Sequence, residues 1–192
     1  MGSEQIDSNT EDRDLVVAVQ QGDRVAFRLI YEHHKDRVYN LIYYSLNDPR
    51  MVEDVLQIVF MKIYRGLPGF RFEANLSTWI YRVTINECQN QNRQPNVRFV
   101  PFDTIAGSGE EIDNSSIPET RHSYKERQEI IQEAVMQLSP KLRAVVVLKY
   151  IEGLSYDEIA QVLECAPGTV ASRLNRALGN LESQLRPLRR IL

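Results

Sequence analysis

Apolar positions recur at helical spacing in two separated parts of the chain. In MVEDVLQIVFMKIYRG, Val52, Val55, Val59 and Ile63 share one stripe, while Asp54, Gln57, Ile58 and Met61 fall on another face. In PGTVASRLNRALGNLESQL, Val170, Leu174, Leu178, Leu181 and Leu185 form a second stripe, predicted to be buried. Ser172, Arg176 and Ser183 lie opposite it, with Thr169, Arg173 and Asn175 on its flanks. Punctuation sets the remaining elements. A short helix from about Asp12 stops at Gly22, Asp23 caps RVAFRLIYEHHKDRVYNLIYYSL, and Asn47-Asp48-Pro49 breaks the chain before the third helix. The loop LPGFRFEANL precedes a fourth helix from near Ser77. Further on, KERQEIIQEAVMQL is helical, and Ser139-Pro140 opens KLRAVVVLKYIEG, which Gly153 closes. The pattern predicts an all-α fold of two small helical domains, residues 1–93 and 125–192, joined by a flexible linker over 94–124.

Charge changes this picture locally. Asp and Glu outnumber Lys and Arg by 13 to 11 in residues 1–93 and by 5 to 2 in 94–124, but are outnumbered 8 to 10 in 125–192. From Cys165 to Leu192 there are five arginines and one acid, so a chain of net charge -3 ends on a basic segment. No apolar run approaches the roughly 18 residues that span a bilayer, and the polar start MGSEQIDSNTEDRD lacks a secretory pattern, so a cytoplasmic protein without direct membrane insertion is expected. Cys88 and Cys165 are far apart and read as buried or idle thiols. His33, His34 and His122 form no metal or catalytic spacing, so neither a metal, a cofactor nor an enzymatic activity is expected.

The last part of the chain has the organisation of a DNA reader. Ser155-Tyr156-Asp157-Glu158 is a capping box that fixes the start of YDEIAQVLE; a turn at Glu164-Cys165-Ala166 follows, and Pro167 opens the next helix. Short helix, tight turn and second helix describe a helix-turn-helix whose second helix enters the major groove. Arg176 can donate twice to a guanine edge, Asn175 can pair with adenine, and Ser172 can bond a base or a phosphate. Amides near Gly168 and Thr169 can hold a backbone phosphate. The same arginines also suit a solvated helix face, the lesser of the two readings on pattern alone. If Glu164 takes a left-handed turn conformation, the cost is about 1 kcal/mol.

Together these segments resemble an extracytoplasmic-function sigma factor, the small two-domain class of bacterial transcription initiation factor in the sigma-70 family. LSYDEIAQVLECAPGTVASRLNRALGNLE resembles region four, which reads the minus-thirty-five element; GDRVAFRLIYEHH, DVLQIVFMKIYRGLPGFR and STWIYRVTINECQN resemble parts of region two. The resemblance implies core RNA polymerase (beta-prime clamp and beta flap), promoter DNA and an anti-sigma factor as partners. It carries polymerase binding to Asp54, Gln57, Ile58, Phe60 and Met61, where Ile58 replaces the family's usual acid, and Phe60 also suits a core position. It carries minus-ten recognition to Phe72, Glu73, Ala74, Asn75 and Leu76, the loop matching the pocket for an extruded base, and to Trp79, Arg82 and Asn86. Trp79 also suits the core. Minus-thirty-five recognition falls to Gly168, Thr169, Ala171, Ser172, Arg173, Asn175 and Arg176, with Ala171 standing where many relatives carry a basic residue. The acidic linker suits either a spacer or a polyanion surrogate in the polymerase. Two rivals stay open at this point: an autonomous helix-turn-helix regulator, expected to dimerise on a symmetric operator, and a helical adaptor whose basic faces are only solvated.

Overall fold

Asp23 starts the central helix of the molecule. Its carboxylate accepts from the amides of Val25 at 2.7 Å and Ala26 at 3.3 Å, satisfying donors that a helix start leaves free. A computed structural model describes residues 3–93, 127 and 130–188, with side chains over 11–93, 127 and 130–187. The acidic stretch 94–124, His122, Arg189 and Arg190 lie outside the described residues. All regular elements among those described are helical. They are α1 (Ser3–Gln20), α2 (Arg24–Ser45), α3 (Val52–Gly66), α4 (Leu76–Arg93), α5 (130–136), α6 (Pro140–Tyr150), α7 (Tyr156–Val162) and α8 (Pro167–Leu185).

Helix α1 begins well before Asp12, a start hidden from the sequence pattern because SEQIDSNTED carries no apolar stripe. Gly22, at φ 96, makes the turn into α2, a conformation that favours glycine. Asp48 then accepts from the Arg50 amide at 3.0 Å and caps the short turn Pro49–Met51 that leads into α3.

Helix α2 packs on α1, α3 and α4, and Val52, Val55, Val59 and Ile63 of α3 are all buried as their spacing predicts. Fully buried Ile30, Leu41, Ile42 and Ile80 close this core, each contributing about 1.5–3 kcal/mol. Asp12 and His34 are buried too, with His34 Nε2 3.2 Å from both carboxylate oxygens, so the α1 to α2 contact includes a polar clasp.

In the second block α6 is buried along Leu142 to Leu148 and packs against α7 and α8. Gly153, at φ 71, turns the chain so that the Leu154 amide reaches back to the Leu148 carbonyl at 3.0 Å. The stripe on α8 differs from its expected composition. Val170, Leu174 and Ala177 are buried, Leu181 is half-buried, and Leu178 is 39% exposed. At about 100° per residue Leu178 stands some 80° from Val170, and the smaller Ala177 takes the place beside the core.

The two blocks share one continuous core. Helix α6 lies against α2 and α4, and α7 lies against α4. Cys88 is buried within it, its thiol pushed up to about 12 by burial and then by neighbouring Glu87, while Cys165 is half-buried; neither pairs. No helix among the described residues is long and apolar enough to cross a membrane.

Candidate nucleic-acid interface

The turn of the helix-turn-helix is built by local bonds. The Ser155 amide donates to Glu158 Oε2 at 2.8 Å and the Glu158 amide to Ser155 Oγ at 3.2 Å, completing the capping box. Helix α7 ends at Val162, and Glu164 takes φ 49, the left-handed conformation whose cost is about 1–2 kcal/mol for a residue with a Cβ. The next amide, Cys165, then donates to the Ala160 carbonyl at 3.0 Å.

On α8, Gly168, Ser172, Asn175 and Arg176 are exposed, and Thr169, Ala171 and Arg173 are half-buried along its flanks. Three expected contributors are engaged internally, among them Ser172, whose exposed hydroxyl donates to the Thr169 carbonyl at 3.0 Å. The Thr169 amide donates to the Ala166 carbonyl at 2.8 Å, because the start of α8 is tightly wound, so Gly168 is the better placed phosphate donor. Arg173 Nη1 lies 3.8 Å from Cys165 Sγ, folded back on the turn. Ser172, Asn175 and Arg176 therefore form the outward edge of the helix.

The loop before α4 is strained and braced. Phe72 takes φ 59, unusual for a bulky residue, with its ring edge-on to Phe70 at 5.1 Å and beneath the Arg13 guanidinium at 4.8 Å. Gln20 Nε2 donates to the carbonyls of Leu67 at 3.1 Å and Phe70 at 2.9 Å, so α1 holds the loop. Glu73 and Asn75 are exposed, and Ala74 is half-buried. Leu76 is buried in the core and is unavailable for direct contact, because it begins the inward face of α4.

Trp79 is half-buried, packed on one side and open to a cleft on the other. Its indole packs on Phe70 at 5.3 Å and so tightly on Gly66 that a Cβ there would lie 2.8 Å from the ring. Its other edge lines a cleft of about 470 Å³ with Gly66, Phe70, Glu73, Thr78 and Arg82. Asn86 is exposed one turn beyond Arg82.

On α3, Asp54, Gln57 and Met61 are exposed and Ile58 is half-buried, a mixed polar and apolar surface. Of the two positions open to Phe60, the structure places its side chain in the core. It is 5% exposed with its ring edge-on to Tyr31 at 4.6 Å, so it supports the helix from beneath. Behind this face, Lys62 pairs with the buried Glu87 carboxylate. Burial raises the Glu87 pKa, but Lys62 and Gln91 outweigh it and hold the group below its ordinary value. The residues that sequence reasoning missed are Gln20 and Arg13, which brace the loop, and Gln161 and Glu164, which reach α4 from the second block. Glutamine and arginine on exposed helix positions give no sequence signal for such distant contacts.

Comparison with known proteins places these surfaces in a wider setting. Residues 30–96 match the family described as Sigma-70 region 2, and residues 128–181 match Sigma-70, region 4. Over 185 residues the chain is 34% identical to an ECF RNA polymerase sigma-E factor of Haemophilus influenzae, covering 92% of this chain and 96% of that protein. It is 33% identical over 186 residues to an RNA polymerase sigma-H factor of Pseudomonas aeruginosa, covering 94% and 96% respectively. The sigma-E factor of Escherichia coli strain K12 is 35% identical over 188 residues, with 92% and 95% covered. The fold is shared with CnrH solved in complex with the cytosolic domain of CnrY, at TM-score 0.68 and 20% identity over 92% of this chain and 98% of that one. It is shared also with the Bartonella quintana sigma factor RpoE in complex with the anti-sigma factor NepR, at TM-score 0.64 and 21% identity over 83% and 96%.

Proposed function

The chain belongs to the extracytoplasmic-function sigma factors of RNA polymerase, and on that premise we propose how its surfaces divide the work. As a sigma factor it directs core polymerase to specific promoters, and synthesis remains the polymerase's chemistry. Residues 1–93 are assigned to the clamp and the minus-ten element, 94–124 to the linker, and 125–192 to the beta flap and the minus-thirty-five element. The observation that carries this division is the order of the two matched regions together with three surfaces: exposed Asp54, Gln57 and Met61 on α3, the cleft beside half-buried Arg82 and exposed Asn86, and exposed Ser172, Asn175 and Arg176 on α8.

Ile58 adds an apolar border to the α3 face, and Phe60 acts there by packing beneath it. In the minus-ten loop, Phe72, Glu73, Ala74 and Asn75 frame the place for an unpaired base, whose extrusion costs a few kcal/mol that the pocket offsets. On α8, Gly168 presents its amide to a phosphate, and few base contacts suffice because polymerase supplies most of the affinity. An anti-sigma factor is the expected regulatory partner, supported by the complex in which the similarly folded RpoE was solved. The cytoplasm is the expected place for these exchanges.

Run-off transcription with core polymerase on a library of genomic fragments tests the reading. Transcripts are expected from a subset of fragments sharing an upstream and a minus-ten element. Tight binding of the isolated chain to a symmetric duplex site, as a dimer and without polymerase, would overturn it in favour of an autonomous regulator.

A further inference from the structure

Helix α1 lies outside the residues matched to Sigma-70 region 2, yet it grips the loop that leads into α4. Val16 and Val19 bury its inner face, and the Asp12 to His34 clasp fixes it on α2. From its last turn, Gln20 reaches across to the tight turn Leu67–Gly69. Its Nε2 donates to the Leu67 carbonyl at 3.1 Å and to the Phe70 carbonyl at 2.9 Å, so one amide group ties both ends of that turn.

Further along the loop, Phe72 is held at φ 59, which is costly for a residue with a Cβ and persists only where the surroundings enforce it. Helix α1 supplies that enforcement. The Arg13 guanidinium lies 4.8 Å from the centre of the Phe72 ring, and Phe72 sits edge-on to Phe70, whose carbonyl Gln20 holds. Space is divided unequally across the loop. On the α1 side about 70 Å³ remains between Asp12, Arg13, Val16 and Phe72, against about 470 Å³ on the side of Trp79 and Arg82. The loop therefore has a nearly filled back against α1 and an open front.

We propose that Gln20 is a positioning residue for capture of the unpaired minus-ten base, holding the loop from behind in the conformation that the base meets. It acts through the Leu67 and Phe70 carbonyls and touches no DNA itself. This role rests on the assignment of the loop to the unpaired base. Preorganisation is the physical gain: a loop already ordered loses less freedom when the base enters, so more of the contact energy appears as affinity. Gln20 is exposed and stands outside the core, so its effect belongs to loop geometry and not to folding.

The test measures the contribution of the base itself in the polymerase holoenzyme. Labelled single-stranded oligonucleotides carry the non-template minus-ten element of a promoter found by run-off transcription, with an abasic site at each position in turn. Fluorescence anisotropy gives their affinities. At one position the missing base is expected to weaken wild-type binding by about tenfold, within the range for one stacked base. Gln20→Leu removes the amide, and Gln20→Glu keeps its shape while removing the donors. In both variants the penalty is expected to shrink to about twofold or less, through weaker binding of the intact strand. Because the penalty is a ratio within assembled holoenzyme, partial unfolding or weak assembly leaves it unchanged. A full penalty in either variant overturns the positioning role. Absence of any such position in the wild type overturns the reading of the loop as a base pocket, and the role of Gln20 with it.

Discussion

Tyr81 Oη donates a 2.9 Å hydrogen bond to Glu152 Oε2 across the contact between the two helical blocks. Burial sets the properties of both groups. It raises the Glu152 pKa above its ordinary value of 4.5, against the opposing effects of Tyr81 and Arg37. Burial and then the nearby Glu152 charge also push the Tyr81 phenol upward, so it stays a donor.

The raised Glu152 value gives a signed pH dependence. The folded chain binds this proton more readily than the unfolded chain, so its contribution to stability is complete below the ordinary value and is lost as pH rises through the raised one. Glu152→Gln keeps an acceptor for Tyr81 without the charge. In urea unfolding this variant is expected to be more stable than the wild type at about pH 7.5, with the difference shrinking towards about pH 5. Tyr81→Phe, which leaves the carboxylate without its donor, is expected to cost about 1–2 kcal/mol.

Gly66 is required by the Trp79 ring. A Cβ at this position would sit 2.8 Å from Cζ2 and 3.0 Å from Cη2, so the indole has to move. Gly66→Ala is expected to cost about 1–3 kcal/mol and to loosen the packing of Trp79 on Phe70. Trp79 is the sole tryptophan, so a red shift of its emission together with a lower urea midpoint checks this directly. Unchanged emission with full stability would show that the ring is not seated there.

Much of this organisation was legible along the chain because its signals are local. The α3 stripe, the Asp23 cap, the Ser155 capping box and the left-handed Glu164 each depend on residues within a turn or two. Phe60 was ambiguous, since helical spacing alone leaves a residue beside the stripe free to face the core or a partner, and only the Tyr31 ring decides it. The contacts between blocks had no such signal. Tyr81 and Glu152 are separated by 71 positions and Arg143 and Ser45 by 98, and no period links them. His34 likewise looked unremarkable beside His33 until α1 brought Asp12 to its ring.

The exposed faces of α3 and α8 can be separated by substitution. Met61 is 53% exposed, so Met61→Asp leaves the core intact and is expected to weaken assembly with core polymerase by at least about tenfold, as for a truncated apolar contact made charged. Arg176→Ala is expected to leave assembly unchanged and to reduce promoter-specific transcription by about 10- to 100-fold, the range of one bidentate base contact. Co-elution with core polymerase and run-off transcription read the two effects independently. Loss of assembly in Arg176→Ala would mean that this residue faces polymerase.

Arg143 brings the strongest stability prediction. The residue is 3% exposed, and its guanidinium donates to the carbonyls of Ser45, Met136 and Leu138 and to Asn47 Oδ1, so one cation serves the ends of α2 and α5 together. These carbonyls lie at the negative ends of helix dipoles, which compensates a buried positive charge that has no carboxylate among its hydrogen-bond partners in the described residues. Lysine retains the charge but offers a single ammonium where a planar fork reaches separated acceptors. Arg143→Lys is therefore expected to cost about 1–3 kcal/mol, and Arg143→Met about 2–4 kcal/mol because the acceptors are left buried without a donor. Urea unfolding measures both. Equal stability of the lysine variant and the wild type would show that charge alone suffices; a methionine variant as stable as the wild type would show that the acceptors reach water and that the blocks are not closed over them.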